Sequence, residues 1–376
     1  MPSEVRLIPD MESFRYVTAA FLLAREDLSL ISIWNPTFLT ALLDAAHAHA
    51  AELVRDIADG TLRPPAPLDR GVARRLDARL RADPDRAAEV AAAFAAARVP
   101  SEANARIWPR LRAVSCWADA YAARYIPALA AALPQSAIAP KGLVATEALV
   151  TFPLRVAGGH VLAARSHYVE FEPESGGEPV PAWLAEPGRR YGIVVTTGGG
   201  LYRYRMHDLV EVTGRWHTVP VLRFLGKDGL VSDRFGEKVA ESHVRRVLER
   251  LASSRGIVPA WAMVACEDYA GVHAYTLFID APGGERRSSG LAEDLEASLL
   301  EGFHYRYARR LGQLGPARVA VVREGSRRHL DESVRRGRRA GDVKPLALSV
   351  ESGWSEPLGA RTVAIARAHV PRGDLS

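Results

Sequence analysis

The sequence predicts an α/β protein in two parts: a layered α/β part over 1–225 and a smaller α+β part over 226–376. Three observations predict this. Short apolar runs at 111–116 and 142–146 flank a helical stretch at 118–133, and alanine-rich helical segments precede them; such alternation packs helices against a sheet. Strand-like, β-branched segments then dominate from 143 to 225. After Gly226 the order becomes helix, strand, strand, helix, strand, which places a boundary near 225–232.

Taken in order, 12–30 and 36–59 read as helices. In the second, Phe38, Leu39, Leu42, Leu43, Ala46, Leu53, Val54 and Ile57 form an apolar stripe at helical spacing. His47 and His49 stand two apart, so they do not share a helix face and read as surface or core-edge residues, not metal ligands. Gly60 ends the helix, and Pro64-Pro65-Ala66-Pro67 is a loop. Helices follow at 70–82 and 84–97, the second opened by Asp83 as N-cap and Pro84 at the first helical position. Beyond the boundary the pattern gives a helix at 239–254, strands at 260–266 and 273–280, a loop from Ala281, a helix at 290–311 and a strand at 317–323.

Composition narrows the class. With 48% hydrophobic and 25% charged residues, the 376-residue chain has an ordinary globular balance and length for two or three domains. No run of 18 apolar residues predicts a membrane span, and the first ten residues lack a basic head followed by an apolar core. Cys116 and Cys266, far apart in sequence, read as reduced thiols of a cytoplasmic protein. Residues 303–344 carry 12 basic and 4 acidic side chains. That is either a solvated arginine face or a surface that meets a polyanion such as a nucleoside triphosphate. Nucleic acid is disfavoured, because no zinc spacing, recognition helix or aromatic-glycine RNA signature accompanies the charge.

Residues 191–241 are the most informative stretch. Ile193-Val194-Val195-Thr196-Thr197 is strand-like, and Gly198 to Gly200 mark a turn. In Leu201 to Met206 the tyrosines sit two apart and so do the arginines; a strand sends Tyr202 and Tyr204 to one face, Arg203 and Arg205 to the other. Asp208 follows, where a carboxylate can accept two hydrogen bonds from a ribose diol. On chemistry alone the stretch also reads as an amphipathic hairpin with a surface aspartate. A second signal is the scarcity of lysine: of 49 basic residues only Lys141, Lys227, Lys238 and Lys344 are lysines. A chain that otherwise uses arginine retains lysine where a compact, rotatable ammonium has a task, such as following a phosphate or a developing oxyanion.

Several segments together resemble the auxin-responsive acyl-acid amido synthetases, the Gretchen Hagen family of adenylate-forming enzymes. They are Leu7-Ile8-Pro9-Asp10, the helix end Glu52 to Leu62 with its D-I-x-x-G-x-L pattern, Ile107-Trp108-Pro109-Arg110-Leu111 and Tyr125-Ile126-Pro127-Ala128-Leu129. Ala145-Thr146-Glu147 is similar to the second nucleotide motif, His167-Tyr168-Val169-Glu170-Phe171 to the Y-x-E-F strand, and Leu201 to Asp208 to the third motif, YRYRxGD. The resemblance implies an adenylate-forming fold whose large domain is N-terminally incomplete, with a mobile C-terminal domain over 226–376. It implies an ATP- and Mg²⁺-dependent reaction of a small carboxylic acid with an amine or amino acid: acyl-adenylate first, amide second. Carried over, Asp208 holds the ribose hydroxyls, Thr146 and Glu147 sit at the α-phosphate and the metal, and Tyr168 lies against adenine, as does Phe224. Lys238 matches a family lysine, Lys227 matches the hinge pair, and Lys344 is the adenylation lysine, acting with Glu147.

The chain departs from the family pattern in three places. The Ser/Thr-rich phosphate loop, S-S-G-T-T or similar, has no counterpart; Ser288-Ser289-Gly290 reads as a helix N-cap. His207 replaces a glycine, and Gly226 stands where arginine is usual at the hinge. Three readings follow: a synthetase whose phosphate loop lies on a preceding section; a non-catalytic relative that binds an acyl acid or nucleotide as a sensor or partner subunit, with a separate chain supplying the loop as a special case; or a different adenylate-former or an unrelated binding protein.

Overall fold

The computed structural model describes residues 1–227, 229–281 and 290–367. The chain divides into two compact units.

The first unit comprises Met1–Ala118, Ala122–Lys141 and Arg338–Val343. Its helices are α1 (Met11–Leu23), α2 (Pro36–Ala48), α3 (Ala50–Asp59), α4 (Arg70–Asp77), α5 (Pro84–Ala96), α6 (Pro100–Ile107) and α7 (Ile126–Ala132). They accompany a parallel sheet of β1 (Leu30–Ser32), β2 (Ala113–Cys116) and β3 (Ala137–Pro140), in that order. Tyr16, Leu39, Leu53, Ile57, Trp108 and Val114 are among its buried core residues, and Asp83 caps α5 by accepting from the Arg86 N–H at 2.9 Å. The D-I-x-x-G-x-L pattern has a structural cause. Asp56, buried at the end of α3, accepts from the Tyr16 hydroxyl at 2.8 Å and from the Arg63 N–H and Nη1 at 2.6 and 2.9 Å. This pins the chain after Gly60, whose φ is 68° and where a Cβ would stand 2.5 Å from the Ala82 nitrogen.

The second unit comprises Asp119–Tyr121, Gly142–Gly337 and the chain from Lys344 onward. Its larger sheet is antiparallel, ordered β4 (Thr151–Leu154), β5 (Gly159–Leu162), β10 (Val219–Lys227), β9 (Tyr204–Trp216), β8 (Arg190–Thr196), β6 (Tyr168–Pro173), β7 (Val180–Pro181). The ribbon β11 (Val231–Ser232) and β12 (Val239–Ala240) leads into α8 (Glu241–Arg255). Then come β13 (Trp261–Tyr269), β14 (Val272–Asp280), α9 (Leu291–Leu300), α10 (Phe303–Arg310), β15 (Arg318–Val321), α11 (Gly325–Arg335), β16 (Leu348–Ser349) and β17 (Arg361–Ile365). A second sheet has the order β16-β13-β14-β15-β17.

Several boundaries differ from the sequence expectation. The helix expected over 12–30 stops at Leu23, because the following apolar residues pair as β1 with β2. The stretch 36–59 breaks at His49, whose φ of −113° and ψ of 27° leave the helix. The strand expected at 142–146 forms earlier, at Ala137–Pro140; of the expected residues only Val144 makes a bridge, to Leu149. The helix over 290–311 is two helices, separated at Gly302. Ser288, Ser289 and the loop residues after Ala281 lie outside the described residues.

Candidate functional site

The site begins with an irregularity between β8 and β9. Gly192 pairs with Leu209 and Val194 with Arg205, so Met206, His207 and Asp208 stand opposite the single residue Ile193. The bulge is made at His207, whose φ of 57° is left-handed, a conformation histidine tolerates better than most side chains. His207 is thereby exposed while Asp208 turns inward, at 3% exposure.

Asp208 is then paired across the ladder with Lys227, the last residue of β10. A second register shift, between Phe224 and Gly226, accompanies this pairing. Gly226 supplies a φ of 143°, open to glycine, and a Cβ there would stand 2.8 Å from Arg245 Nη1.

The electrostatics single Asp208 out. Burial pushes its carboxyl up to about 6; Lys227, Lys344 and His207 oppose the rise, and Glu147 adds to it. Among the described residues no hydrogen bond acts on the Asp208 carboxyl, and its oxygens are not among the fully buried atoms without a partner, so they keep some access to solvent. Burying a carboxylate without donors is costly, and the two oxygens remain able to accept hydrogen bonds. Glu147 sits on the tight turn closed by Ala145 N–H to the Ala148 carbonyl at 3.0 Å. Thr146 Oγ1 donates to its Oε2 at 2.8 Å, which, with a backbone hydrogen bond and the Lys227 charge, holds Glu147 below the usual carboxylate range.

Glu147, Asp208, Lys227 and Lys344 therefore act on one another electrostatically, with His207 beside them and Thr146 attached through Glu147. The other sequence candidates occupy the following positions. Tyr168, half-exposed, opens β6 opposite Thr196. Phe224 is buried in β10, opposite Val210. Lys238 is exposed, with a φ of 47°. The arginines of the third motif share one face: Arg203 Nε donates to Glu170 at 3.1 Å, and Arg205 grips Glu172 through Nε and Nη2, both at 2.9 Å at closest. Tyr202 precedes the strand and stands exposed.

Sequence reasoning missed the bulge at His207 that turns Asp208 inward, and the part of Glu170 and Glu172 in ordering the motif. The E-x-E spacing in β6, matching the R-x-R of Arg203, which precedes β9 with a φ of 46°, and Arg205 within it, could have found the latter. Among the described residues no group of three or more His, Cys, Asp or Glu could hold a metal ion. A magnesium ion carried by a nucleotide needs only one or two protein carboxylates, and an ionised, half-buried Glu147 fits that demand. In the first unit an apolar cavity of about 1250 Å³ is lined by Phe14, Phe21, Ile31, Phe38, Leu39 and Leu42.

Comparison with known proteins defines the class first. The fold matches that of an acyl acid amido synthetase solved with 2,4-DB, with a TM-score of 0.77 at 18% identity, covering 97% of this chain and 67% of that one. The chain belongs to the GH3 family: its N-terminal domain matches residues 1–138, its central domain 160–227 and its C-terminal domain 242–352. Among curated relatives, a probable indole-3-acetic acid-amido synthetase of Oryza sativa subsp. japonica is 28% identical over 283 residues, 64% of this chain and 55% of the relative. A GH3 domain-containing protein of Mus musculus is also 28% identical, over 67% of this chain and 50% of its own length. The chain thus spans about half the length of these relatives.

Proposed function

We propose that the protein acts in the ATP-dependent joining of a small carboxylic acid to an amine or amino acid. The observation that carries this is Asp208: a buried carboxylate without donors, flanked by two lysines and a histidine. Its two oxygens accept from the 2′- and 3′-hydroxyls of ATP, with Tyr168, half-exposed on the same sheet, against the adenine. Thr146 and Glu147 stand at the α-phosphate, where Glu147 would hold Mg²⁺ and the ion would supply charge neutralisation. Phe224 and Lys238 complete the nucleotide assignment at its edge.

In the first step a carboxylate oxygen attacks the α-phosphorus and the bond to pyrophosphate breaks. Lys344 offsets the charge that accumulates on the phosphoryl oxygens. In the second, the amine nitrogen attacks the acyl carbon, AMP leaves, and the nitrogen loses a proton. Lys227 is the hinge from which the part over 226–376 moves, carrying Lys344. A Ser/Thr–Gly phosphate loop comes from a preceding section or a separate chain, and the buried reduced cysteines accord with a cytoplasmic setting. No helix among the described residues is long and apolar enough to cross a membrane.

Calorimetry with AMP and ATP in the presence of Mg²⁺ tests the site. Micromolar binding that is lost in Asp208→Ala supports it; binding that survives the substitution removes Asp208 from the site. Pyrophosphate exchange over a panel of carboxylic acids then separates enzyme from binding protein. Lys344→Ala is expected to abolish exchange and leave AMP affinity nearly intact. Nucleotide binding without exchange for any acid, even with the phosphate-loop section supplied, favours the non-catalytic relative.

A further inference from the structure

Lys141, alone among the four lysines, has no part in the nucleotide reading. It follows β3 directly and stands at the carboxyl ends of the three parallel strands, the end of such sheets where ligands bind. Its Nζ donates to Ser32 Oγ at the end of β1, at 2.8 Å, and to Ser115 Oγ of β2 at 3.3 Å. The ammonium also lies 5.2 Å from the centre of the Trp34 ring. One side chain from each strand's end thus converges on a single cation.

Among the described residues no carboxylate is paired with that ammonium. Among the described residues Lys141 makes no ion pair, and the one titratable group that acts on it is Cys116. Burial pushes the Cys116 thiol up to about 11, so it is neutral at physiological pH and provides no counter-charge. Burial also pulls the Lys141 ammonium below its ordinary range. A half-buried cation ordered by two hydroxyls and facing no anion is an unfavourable arrangement unless something anionic completes it. Each hydroxyl that accepts from Nζ keeps its own proton to donate onward, so the trio offers an oxyanion one ammonium and two O–H donors.

We propose that Lys141, Ser32 and Ser115 form a binding site for an oxyanion, a carboxylate or a phosphate group of a small ligand, separate in its residues from the Asp208 cluster. Lysine is retained because its ammonium must turn between two hydroxyls and a ligand, which a planar guanidinium cannot do.

The scarcity of lysine makes the test direct. The protein, labelled with ¹⁵N,¹³C-lysine, gives four side-chain signals, assigned by Lys141→Gln, Lys227→Gln, Lys238→Gln and Lys344→Gln. Inorganic phosphate and benzoate are titrated separately at constant ionic strength, and then against each other. The expected result is a saturable shift of the Lys141 signal, with the other three unmoved, and displacement of one anion by the other. Saturation by phosphate alone or by benzoate alone identifies the source of the oxyanion. Ser115→Ala is expected to weaken binding about tenfold, the effect of losing one hydrogen bond to a charged group; Ser32→Ala, on an exposed residue, does the same without threatening the fold. Four signals that drift together, or a Lys141 signal that never moves, overturn the proposal. A titration with AMP in the same spectrum reads the other site, since it should move Lys227 and Lys344 whatever happens at Lys141.

Discussion

Asp56 and Asp208 are equally hidden, at 1% and 3% exposure, and their surroundings are opposite. Asp56 is saturated: a tyrosine hydroxyl, a backbone N–H and a guanidinium all donate to it. Asp208 has charge around it and no donors. A carboxylate that has found its hydrogen bonds inside the protein is holding the fold together. One that is buried, repelled by Glu147 and without a hydrogen bond among the described residues can accept from a molecule outside, as the proposed ribose contact requires.

The widest gap should appear in stability. Asp56→Ala leaves the Tyr16 hydroxyl and the Arg63 N–H without their acceptor, and is expected to cost about 3 kcal/mol or more, given the price of a buried unsatisfied donor. Urea unfolding measures it; a loss below about 1 kcal/mol would mean that loop 61–67 is held by other contacts. Asp208→Asn should act in the opposite sense. The folded protein holds the Asp208 proton more tightly than the unfolded chain, whose value is near 3.8. The resulting destabilisation is therefore absent below pH 3.8, grows between 3.8 and about 6, and is complete above, amounting to at most about 3 kcal/mol. The amide removes it, so the variant should be the more stable protein at pH 7 and should lose nucleotide affinity.

The pH dependence of binding sharpens the comparison further. Accepting from a ribose diol requires the ionised form of Asp208, so AMP affinity should fall as the pH drops through about 6. A tenfold loss per pH unit below that point is the limit for one group that must be ionised. Calorimetry between pH 5 and 8 reads this, and an affinity that is flat across the range would take Asp208 out of contact with the nucleotide.

How much of this could be read from residues alone follows from the distance over which each feature is determined. Asp208 was visible because the Tyr/Arg alternation and the acid after it are local, and Lys227 and Lys344 because lysine is scarce. The bulge at His207 was not, since it depends on the register between β8 and β9, which no single strand specifies. β1 was not foreseen, and only its first residue, Leu30, fell within the helix expected over 12–30, because three residues are too few to show a period of two. The partners of Lys141 were out of reach for the same reason: Ser32 and Ser115 are 109 and 26 residues away in sequence. Phe224 is a motif position of another kind: its proposed place beside the base comes from the resemblance, and its burial opposite Val210 follows from the strand register, which no single strand specifies.

The smallest expected effect concerns the bulge itself. His207 holds a φ of 57° where the family pattern has glycine. Glycine relieves the left-handed strain, which for an ordinary side chain is about 1–2 kcal/mol, but it also enlarges the unfolded ensemble. His207→Gly should therefore gain less than about 1 kcal/mol of stability. The substitution also withdraws a side chain whose charge opposes the rise at Asp208, so the fall of AMP affinity should move to slightly higher pH. With the backbone unchanged, affinity at pH 8 should be unaltered. A several-fold loss there would make the imidazole a nucleotide contact, and a several-fold gain would mean that it crowds the ribose. Either result would show that the exposed residue of the bulge, and not only the aspartate it turns inward, shapes the site.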